Sequence, residues 1–556
     1  MILHFIVLLL CMKKLLLLSF ICFLSLTGIH AQSPSTPKLV VGIVVDQMRP
    51  DYVSRYWNRF GNGGFKRLYT EGYNCRNTMY PYMPTYTGPG HASIYSGTTP
   101  ALHGIVGNNW FDRGENKTVY CTQDTAAKCI GCQSTEGKMS PGRLLSSTIT
   151  DELEIATQNK AKVVGISIKD RGAILPAGHA SDAAYWFDGA TGNFVSSSWY
   201  LSQLPQWAND FNERRWPDQY LAKPWTTLLP IETYTESDID NSPYEAPFAT
   251  ESAPVFPHAI PTIPGGYDRL RRIPAGNTFT KDFALAAMLG EQMGKDSITD
   301  FLCLSFSSTD YVGHQFGTHA IETEDTYIRL DRDLNDLFTF LDKNIGKGNY
   351  LLFLTADHGA VDNPQSRIDQ KIPAGFVNDS IITDSVKAFL TRSYGSSNYF
   401  ISILNDQIHL NHKAISSDRR SRCDVANNLS AYIRETFPNL QDVISACQLE
   451  QAEYTELFRT KMQKGYKFGR SGDVWMLYPT GYVDRLYGGN GKQGTTHGAP
   501  YPYDAHVPLY WMGWNIPKGN TTREIQITDI APTLSQLLHI PYPTGCIGKP
   551  ISEIIK

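Results

Sequence analysis

Residues 39–46 read LVVGIVVD, an unbroken apolar run that ends at Asp46. Three later runs share this design and are followed by polar or titratable residues: 163–168 before Lys169-Asp170-Arg171, 301–306 before Asp310, and 351–354 before Asp357-His358. Each run is short, apolar and partly β-branched, as expected for a strand buried on both faces. Active sites of open α/β sheets lie beyond the carboxyl ends of the strands. We therefore predict that these four segments converge at one edge of a sheet.

Helical patterns lie between these runs. Residues 144–156 and 283–293 are predicted helices, and a third helix has an apolar face spaced by three and four residues, made of Tyr327, Leu330, Leu334, Leu337 and Leu341. Alternating strands and helices predict an α/β fold, a three-layer sandwich with a mainly parallel central sheet.

Two stretches, near residues 180–275 and 365–500, interrupt this alternation. The first is rich in Pro, Trp, Tyr, Asp and Asn, and the second mixes short strands, a helix and many aromatic residues. We interpret both as insertions that build a cap region over the site, within one catalytic domain of residues 32–556. For the first stretch, plain surface elaboration is an equal alternative.

The N-terminus has the pattern of an export signal. Lys13 and Lys14 precede the apolar residues 15–26, and small and polar residues follow up to Ala31. This predicts a cleaved signal peptide over residues 1–31 and a location in the periplasm or beyond it. The apolar run is short for a membrane span, although an uncleaved anchor is an alternative.

Composition and cysteines narrow the class of protein. The net charge is −4 without a basic tract, and no repeat period is visible, so we expect neither a nucleic-acid surface nor a repeat protein. In an exported chain Cys129 and Cys132 are either a disulfide or two free thiols. Cys303 lies inside an apolar run and is predicted to be a buried free thiol.

Six potential metal ligands follow the predicted strands or lie in a late glycine-flanked loop, GTTHG at 494–498. They are three carboxylates and three imidazoles: Asp46, Asp310, His314, Asp357, His358 and His497. Each alone is more typical of a helix cap, a turn or a structural histidine. Together, oxygen and nitrogen ligands without thiolates predict two catalytic zinc sites of three ligands each. Two metals about 3.5–4 Å apart suit in-line phosphoryl displacement. Gly359 is expected to give the Asp357-His358 loop its backbone freedom.

A candidate nucleophile lies in residues 83–93, MPTYTGPGHAS, which we interpret as a turn entering a helix near Pro89 or Gly90. A hydroxyl there would lie beside free backbone N–H groups and the positive end of the helix dipole. Metal coordination would activate it. From this motif alone, Thr85 or Thr87 could equally be a helix cap.

Three further residues could stabilise phosphoryl charge. Asn108 offers an amide donor, and Lys169 and Arg171 are two apart on a segment predicted to be extended, so both would point the same way. A cationic pair suits a dianionic monoester. Each of the two cations alone is more typical of a solvated strand end.

These residues resemble the alkaline phosphatase superfamily, in the branch of type I phosphodiesterases, nucleotide pyrophosphatases and threonine-nucleophile phosphatases. Within it, residues 167–172, SIKDRG, are similar to the phosphate-irrepressible alkaline phosphatases of the PafA type. The resemblance implies one zinc at Asp310, His314 and His497. It implies a second zinc at Asp46, Asp357 and His358, with Thr87 as nucleophile and further ligand. It also implies that Asn108, Lys169 and Arg171 hold the phosphoryl oxygens.

The resemblance implies an exported, zinc-dependent phosphomonoesterase that forms a phosphothreonine and acts on small-molecule phosphate monoesters. We expect a monomer with no nucleic-acid partner and no stable membrane anchor. One alternative is a phosphodiesterase or nucleotide pyrophosphatase on the same core, against which Lys169 and Arg171 argue. The alternative from another class is a non-catalytic exported protein that binds metal or phosphate.

Overall fold

A computed structural model of the chain describes residues 36–484 and 492–555. The predicted signal peptide, residues 1–31, lies outside the described residues. Within the described ranges, no helix is long and apolar enough to cross a membrane.

Most strands belong to one large sheet, with spatial order β17-β2-β18-β10-β1-β9-β6-β7-β8-β5 and β19 paired to β2. The strands are β1 Leu39–Val45, β2 Tyr73–Met79, β3 Asn109–Asp112, β4 Lys117–Tyr120, β5 Cys129–Ile130, β6 Val163–Ser167, β7 Ala183–Asp188, β8 Asn193–Ser197, β9 Asp300–Phe306, β10 Tyr350–Thr355, β11 Gly375–Val377, β12 Phe400–Leu404, β13 Gln407–Leu410, β14 Asp442–Ser445, β15 Val474–Leu477, β16 Tyr482–Asp484, β17 His506–Val507, β18 Leu509–Gly513 and β19 Gly519–Gln526.

The four predicted strands are four neighbours in the middle of this sheet. The strands β10, β1, β9, β6 and β7 are all parallel, and Val41 of β1 lies between Leu352 of β10 and Leu302 of β9. The strands β1, β6, β9 and β10 are buried along their whole length. The predicted α/β fold with a mainly parallel central sheet is confirmed. Parallel neighbours end at the same edge, so the residues that follow these strands are brought together.

Helices cover the sheet and connect its strands. They are α1 Asp51–Arg55, α2 Phe65–Glu71, α3 Thr87–Ser96, α4 Pro100–His103, α5 Ile149–Thr157, α6 Asp170–Ala177, α7 Gln206–Glu213, α8 Trp216–Leu221, α9 Ala275–Gly290, α10 Ser308–Phe316, α11 Ile321–Leu341, α12 Pro364–Asp369, α13 Asp379–Tyr394, α14 His412–Ser417, α15 Arg422–Thr436, α16 Ala446–Gln451, α17 Leu457–Gly465, α18 Pro502–Ala505 and α19 Ile530–Leu538.

The bounds of three predicted helices were wrong. The helix predicted over 144–156 is α5, which begins only at Ile149, after the capping residue Thr148. The helix after the candidate nucleophile begins at Thr87, not at Pro89 or Gly90. Gly90 N–H already donates to Tyr86 O, and Pro89 fits inside this first turn because no partner is needed for its missing N–H. The helix predicted over 283–293 is α9, which begins after Pro274 and ends at Gly290.

A smaller four-stranded sheet, β12-β13-β15-β14, lies within the second irregular stretch. Helices α13 and α15 pack on it and form a separate hydrophobic cluster that includes Val386, Leu429 and Met476. In the first irregular stretch, β7 and β8 belong to the large sheet. The division into one catalytic domain with insertions near 180–275 and 365–500 stays a prediction.

The cysteines of the described residues are partly paired. Disulfides join Cys129 to Cys132 and Cys423 to Cys447. Cys303 is a buried free thiol, as predicted, and Cys75, Cys121 and Cys546 are also free.

Candidate active site

The edge where the parallel strands end carries the predicted metal ligands. Asp46 follows β1 directly, Asp310 lies on α10 after β9, and Asp357 and His358 follow β10. All four side chains are buried. His497 reaches the same place from a loop late in the chain.

The six residues form two adjoining groups. In the first, Asp310 Oδ1 lies 3.0 Å from His314 Nε2 and 3.6 Å from His497 Nε2. His314 lies one helical turn after Asp310 on α10, so both side chains share a face. The ring of His497 stacks on that of His358 with centroids 3.4 Å apart, which joins this group to the second.

The second group is Asp46, Asp357 and His358. His358 Nε2 lies 3.5 Å from Asp46 Oδ1 and 3.5 Å from Asp357 Oδ2. Asp46, Asp357 and His358 have the spacing of a metal site, and so do Asp310, His358 and His497. His358 is therefore at the junction of the two groups.

Hydrogen bonds orient the three imidazoles alike. His314 Nδ1 donates to Thr495 O (2.9 Å), His358 Nδ1 to Gly359 O (2.9 Å) and His497 Nδ1 to Thr85 O (2.8 Å). A carbonyl oxygen only accepts, so Nδ1 carries the hydrogen and Nε2 presents a lone pair to the carboxylates. Burial lowers the pKa of His358 to about 3 and that of His497 well below its usual value, which favours neutral rings.

The charge of the carboxylates is balanced only in part, and some of their oxygens lack a hydrogen-bond donor. Lys169 Nζ lies 2.7 Å from Asp46 Oδ2 and 2.6 Å from Asp310 Oδ2. It is one positive charge against the three negative charges of these carboxylates and Asp357. Asp46 Oδ1 and Asp357 Oδ2 are buried without a donor. Lone pairs of imidazole and carboxylate facing each other in a buried site need cations between them. The donor set therefore fits divalent metal ions.

Gln47 and His91 were missed by the sequence analysis. Gln47 donates from its backbone N–H to Asp357 Oδ1 (3.1 Å) and from Nε2 to Asp310 Oδ1 (2.8 Å). His91 donates from Nδ1 to Thr87 O (2.9 Å), and its Nε2 lies 2.9 Å from Ser305 Oγ. Burial lowers the pKa of His91 to about 4. The sequence offered two signals for these residues: Gln47 directly follows Asp46, and His91 ends the GPGH segment at 88–91.

Thr87 is the first residue of α3, and its Oγ1 lies 3.4 Å from His358 Nε2. The backbone around it offers fewer donors than predicted. Gly88 N–H donates to Asn108 Oδ1 (2.8 Å), and Pro89 has no N–H. The bond to Gly88 also leaves the amide nitrogen of Asn108 as the end that can donate. Anion binding here depends more on side chains than the sequence analysis expected.

The predicted extended segment through Lys169 and Arg171 was wrong. Lys169 is extended, but Arg171 lies in the first turn of α6. Lys169 Nζ points to the carboxylates and lies 5.0 Å from the centre of the Tyr311 ring. Arg171 Nη1 donates to the Tyr120 hydroxyl (3.0 Å), which in turn donates to Asp170 (2.7 Å). Tyr120, which the sequence analysis missed, thus fixes the guanidinium.

Two glycines allow the close approach of backbone on which the site depends. A Cβ on Gly90 would lie 2.4 Å from Asp357 O, so this glycine lets α3 pack on the ligand loop. A Cβ on Gly359 would lie 2.1 Å from Tyr503 O. The sequence analysis gave the wrong reason for Gly359. This glycine does not have a positive φ. It is required because a side chain here would collide with the backbone of Tyr503.

We predict that Gly359→Ala disrupts the ligand loop. The added methyl group must displace the backbone at Tyr503, which moves Asp357 and His358 away from their partners. Divalent-metal binding, measured by calorimetry, should weaken by about tenfold or more. Gly61→Ala is the matched control, since its Cβ would meet its nearest atom at an ordinary 3.5 Å. Equal metal binding by the two variants would contradict this account of Gly359.

The comparisons with known proteins agree on one family. Residues 40–500 match the family model described as Type I phosphodiesterase / nucleotide pyrophosphatase. Alkaline phosphatase PhoV of Synechococcus elongatus is 45% identical over 530 residues, covering 95% of each chain. The Myroides odoratus protein named calcium-transporting ATPase is 42% identical over 548 residues, covering 98% of this chain and 99% of the relative.

Alkaline phosphatase PafA of Elizabethkingia meningoseptica is 43% identical over 524 residues, covering 93% of this chain and 94% of the relative. The crystal structure of PafA superposes with a TM-score of 0.89, covering 94% of this chain and 99% of that chain. The chain belongs to the type I phosphodiesterase and nucleotide pyrophosphatase family, in the branch that contains the alkaline phosphatases PafA and PhoV.

Proposed function

We propose that this protein is an alkaline phosphatase that hydrolyses phosphate monoesters through Thr87. The observation that carries the proposal is the position of the Thr87 hydroxyl. It lies 3.4 Å from His358 Nε2, beside three buried carboxylates whose charge Lys169 balances only in part. The names of PhoV and PafA support the same activity.

We further propose two zinc ions as cofactors. Asp310, His314 and His497 would hold one, and Asp46, Asp357 and His358, with Thr87, would hold the other. Zinc accepts mixed carboxylate and imidazole ligands, and three protein ligands leave each ion open positions. When bound, the ions would supply Lewis-acid charge at the hydroxyl, at the departing ester oxygen and at a water.

In the first step the Thr87 hydroxyl loses its proton to solvent, Oγ attacks phosphorus, and the bond from phosphorus to the ester oxygen breaks. The products are a phosphothreonine and an alcohol that takes its proton from solvent. The Gly88–Asn108 hydrogen bond and the start of α3 hold the Thr87 backbone for this attack. In the second step water attacks phosphorus, the bond to Oγ breaks, and inorganic phosphate leaves.

Lys169, Arg171 and Asn108 would stabilise the phosphoryl oxygens. Lys169 is buried against two carboxylates, and those carboxylates raise its pKa despite burial, so it stays charged. Metal ions bound to the same carboxylates would leave its charge for the substrate. Two fixed cations beside the metals favour the dianion of a monoester over the monoanion of a diester.

We also propose that the protein is exported by the signal peptide 1–31 and acts in the periplasm as a monomer on small-molecule phosphate esters. The supporting observation is the Lys13-Lys14 pair followed by an apolar run and small residues up to Ala31.

We predict that Thr87→Val lowers kcat for an aryl phosphate by about 10³-fold or more, because the nucleophile is lost while the shape is kept. Acid-quenched wild-type enzyme should yield a peptide phosphorylated at Thr87. Thr98→Val is the matched control, since it removes a buried hydroxyl that has no hydrogen-bond partner and should preserve turnover. Full turnover by zinc-loaded Thr87→Val would refute the assignment.

We predict that Lys169→Ala and Arg171→Ala each lower kcat/KM for an aryl monoester about tenfold more than for its methyl diester. The reason is that the diester lacks the second negative charge that these cations oppose. Lys162→Ala is the control, because Lys162 precedes β6 at its opposite end and pairs with Asp182. Equal losses on both substrates would exclude the proposed role of the pair.

A further inference from the structure

A cavity of about 320 Å³ adjoins the candidate active site and has no role in the mechanism above. One wall comes from the loop that carries His497 and from α18, which carries Tyr503. The opposite wall comes from the smaller sheet and its connections, including Asp379, Asp406 and Tyr478. The cavity therefore lies between the metal-ligand loop and the smaller sheet.

The cavity lies on the side where an alcohol would depart. His497, a proposed ligand of the zinc that would not contact Thr87, lines it, and Tyr86 packs edge-on against the His497 ring with centroids 5.5 Å apart. Asn108, Lys169 and Arg171, which would hold the other phosphoryl oxygens, are not among its lining residues. Attack and departure are in line, so the ester group would extend away from Thr87.

The walls combine carboxylates with tyrosine rings. Asp379, Asp406 and Asp484 line the cavity, and its described lining contains no Lys or Arg. Asp379 accepts a hydrogen bond from the Tyr478 hydroxyl (2.7 Å). Burial and then the charges of Asp379 and Asp484 raise the pKa of Asp406 to about 7, consistent with the three carboxylates lining one cavity.

The floor also holds an unsatisfied polar group. Asp504 is 1% exposed, and its Oδ2 accepts from Gly498 N–H (2.9 Å) and Ala499 N–H (2.8 Å). Its Oδ1 is buried without a partner. An unpaired carboxyl oxygen close to three further carboxyl groups, in a cavity lined by tyrosines, favours a positively charged occupant.

A metal ion is the less suitable occupant. Among the described residues, the groups whose ligand atoms lie within 4.8 Å of one another are the two of the candidate active site. Three carboxylates of this cavity are therefore too far apart to share one ion. An organic cation needs only an aromatic surface and nearby negative charge.

We propose that this cavity is a leaving-group subsite that selects phosphate monoesters of alcohols bearing an amino or quaternary ammonium group. The inference rests on the proposed function, because it assigns the alcohol half of the same substrate. Tyrosine faces would contact the ammonium group, and Asp379 and Asp406 would supply the opposing charge.

The test compares two monoesters of the same shape. Phosphocholine carries a trimethylammonium group, and 3,3-dimethylbutyl phosphate replaces its nitrogen by carbon. We expect kcat/KM at alkaline pH, where Asp406 is ionised, to be about tenfold higher for phosphocholine. The ratio should fall several-fold in Asp406→Asn and in Asp379→Asn, and stay unchanged in Glu435→Gln, an exposed carboxylate of α15.

The possible outcomes distinguish a failure of the proposed subsite from a failure of the proposed function. Turnover of both esters with a ratio that neither Asp variant changes would overturn the subsite and leave the proposed function standing. A proportional loss on both esters in the Asp variants would also overturn it, because it indicates a structural role. No turnover of these esters or of an aryl phosphate would overturn the proposed function and the subsite together.

Discussion

The structure depends on the burial of three carboxylates at the ends of neighbouring parallel strands. Asp46, Asp310 and Asp357 share one desolvated site with a single lysine in contact. Such a site is costly unless cations balance it. The close packing at Gly90 holds the ligand loop against α3. The common orientation of the imidazoles directs their Nε2 lone pairs to the carboxylates, where cations can bind.

The same charge explains why a threonine could serve as a nucleophile. Thr87 is unreactive as a neutral hydroxyl, and its helix start provides little help because Gly88 and Pro89 offer no free N–H to a ligand. The metals and Lys169 would therefore supply most of the stabilisation, as expected for a loose phosphoryl transition state. Arg171, held by Tyr120, adds a second fixed cation.

The parallel sheet and the meeting of the candidate ligands at its edge could both be predicted from the sequence, because both follow from local patterns. Apolar runs followed by Asp46 or by Asp357 have few other structural interpretations in an alternating α/β chain. Contacts made only in the folded chain could not be predicted. Tyr120 and Arg171 form a hydrogen bond although they are 51 residues apart in the sequence, and Gln47 and Asp310 do so at a separation of 263 residues. The start of α3 was misplaced because proline is favoured in a first turn, where its position does not mark the first residue.

The most direct test is hydrolysis of an aryl phosphate and its methyl diester by the purified protein, with chelator and with zinc restored. The account predicts a strong preference for the monoester that is lost with chelator and recovered with zinc. A preference for the diester would contradict the role of the two cations and make the protein a phosphodiesterase. Zinc-independent turnover would contradict the account of the buried carboxylates.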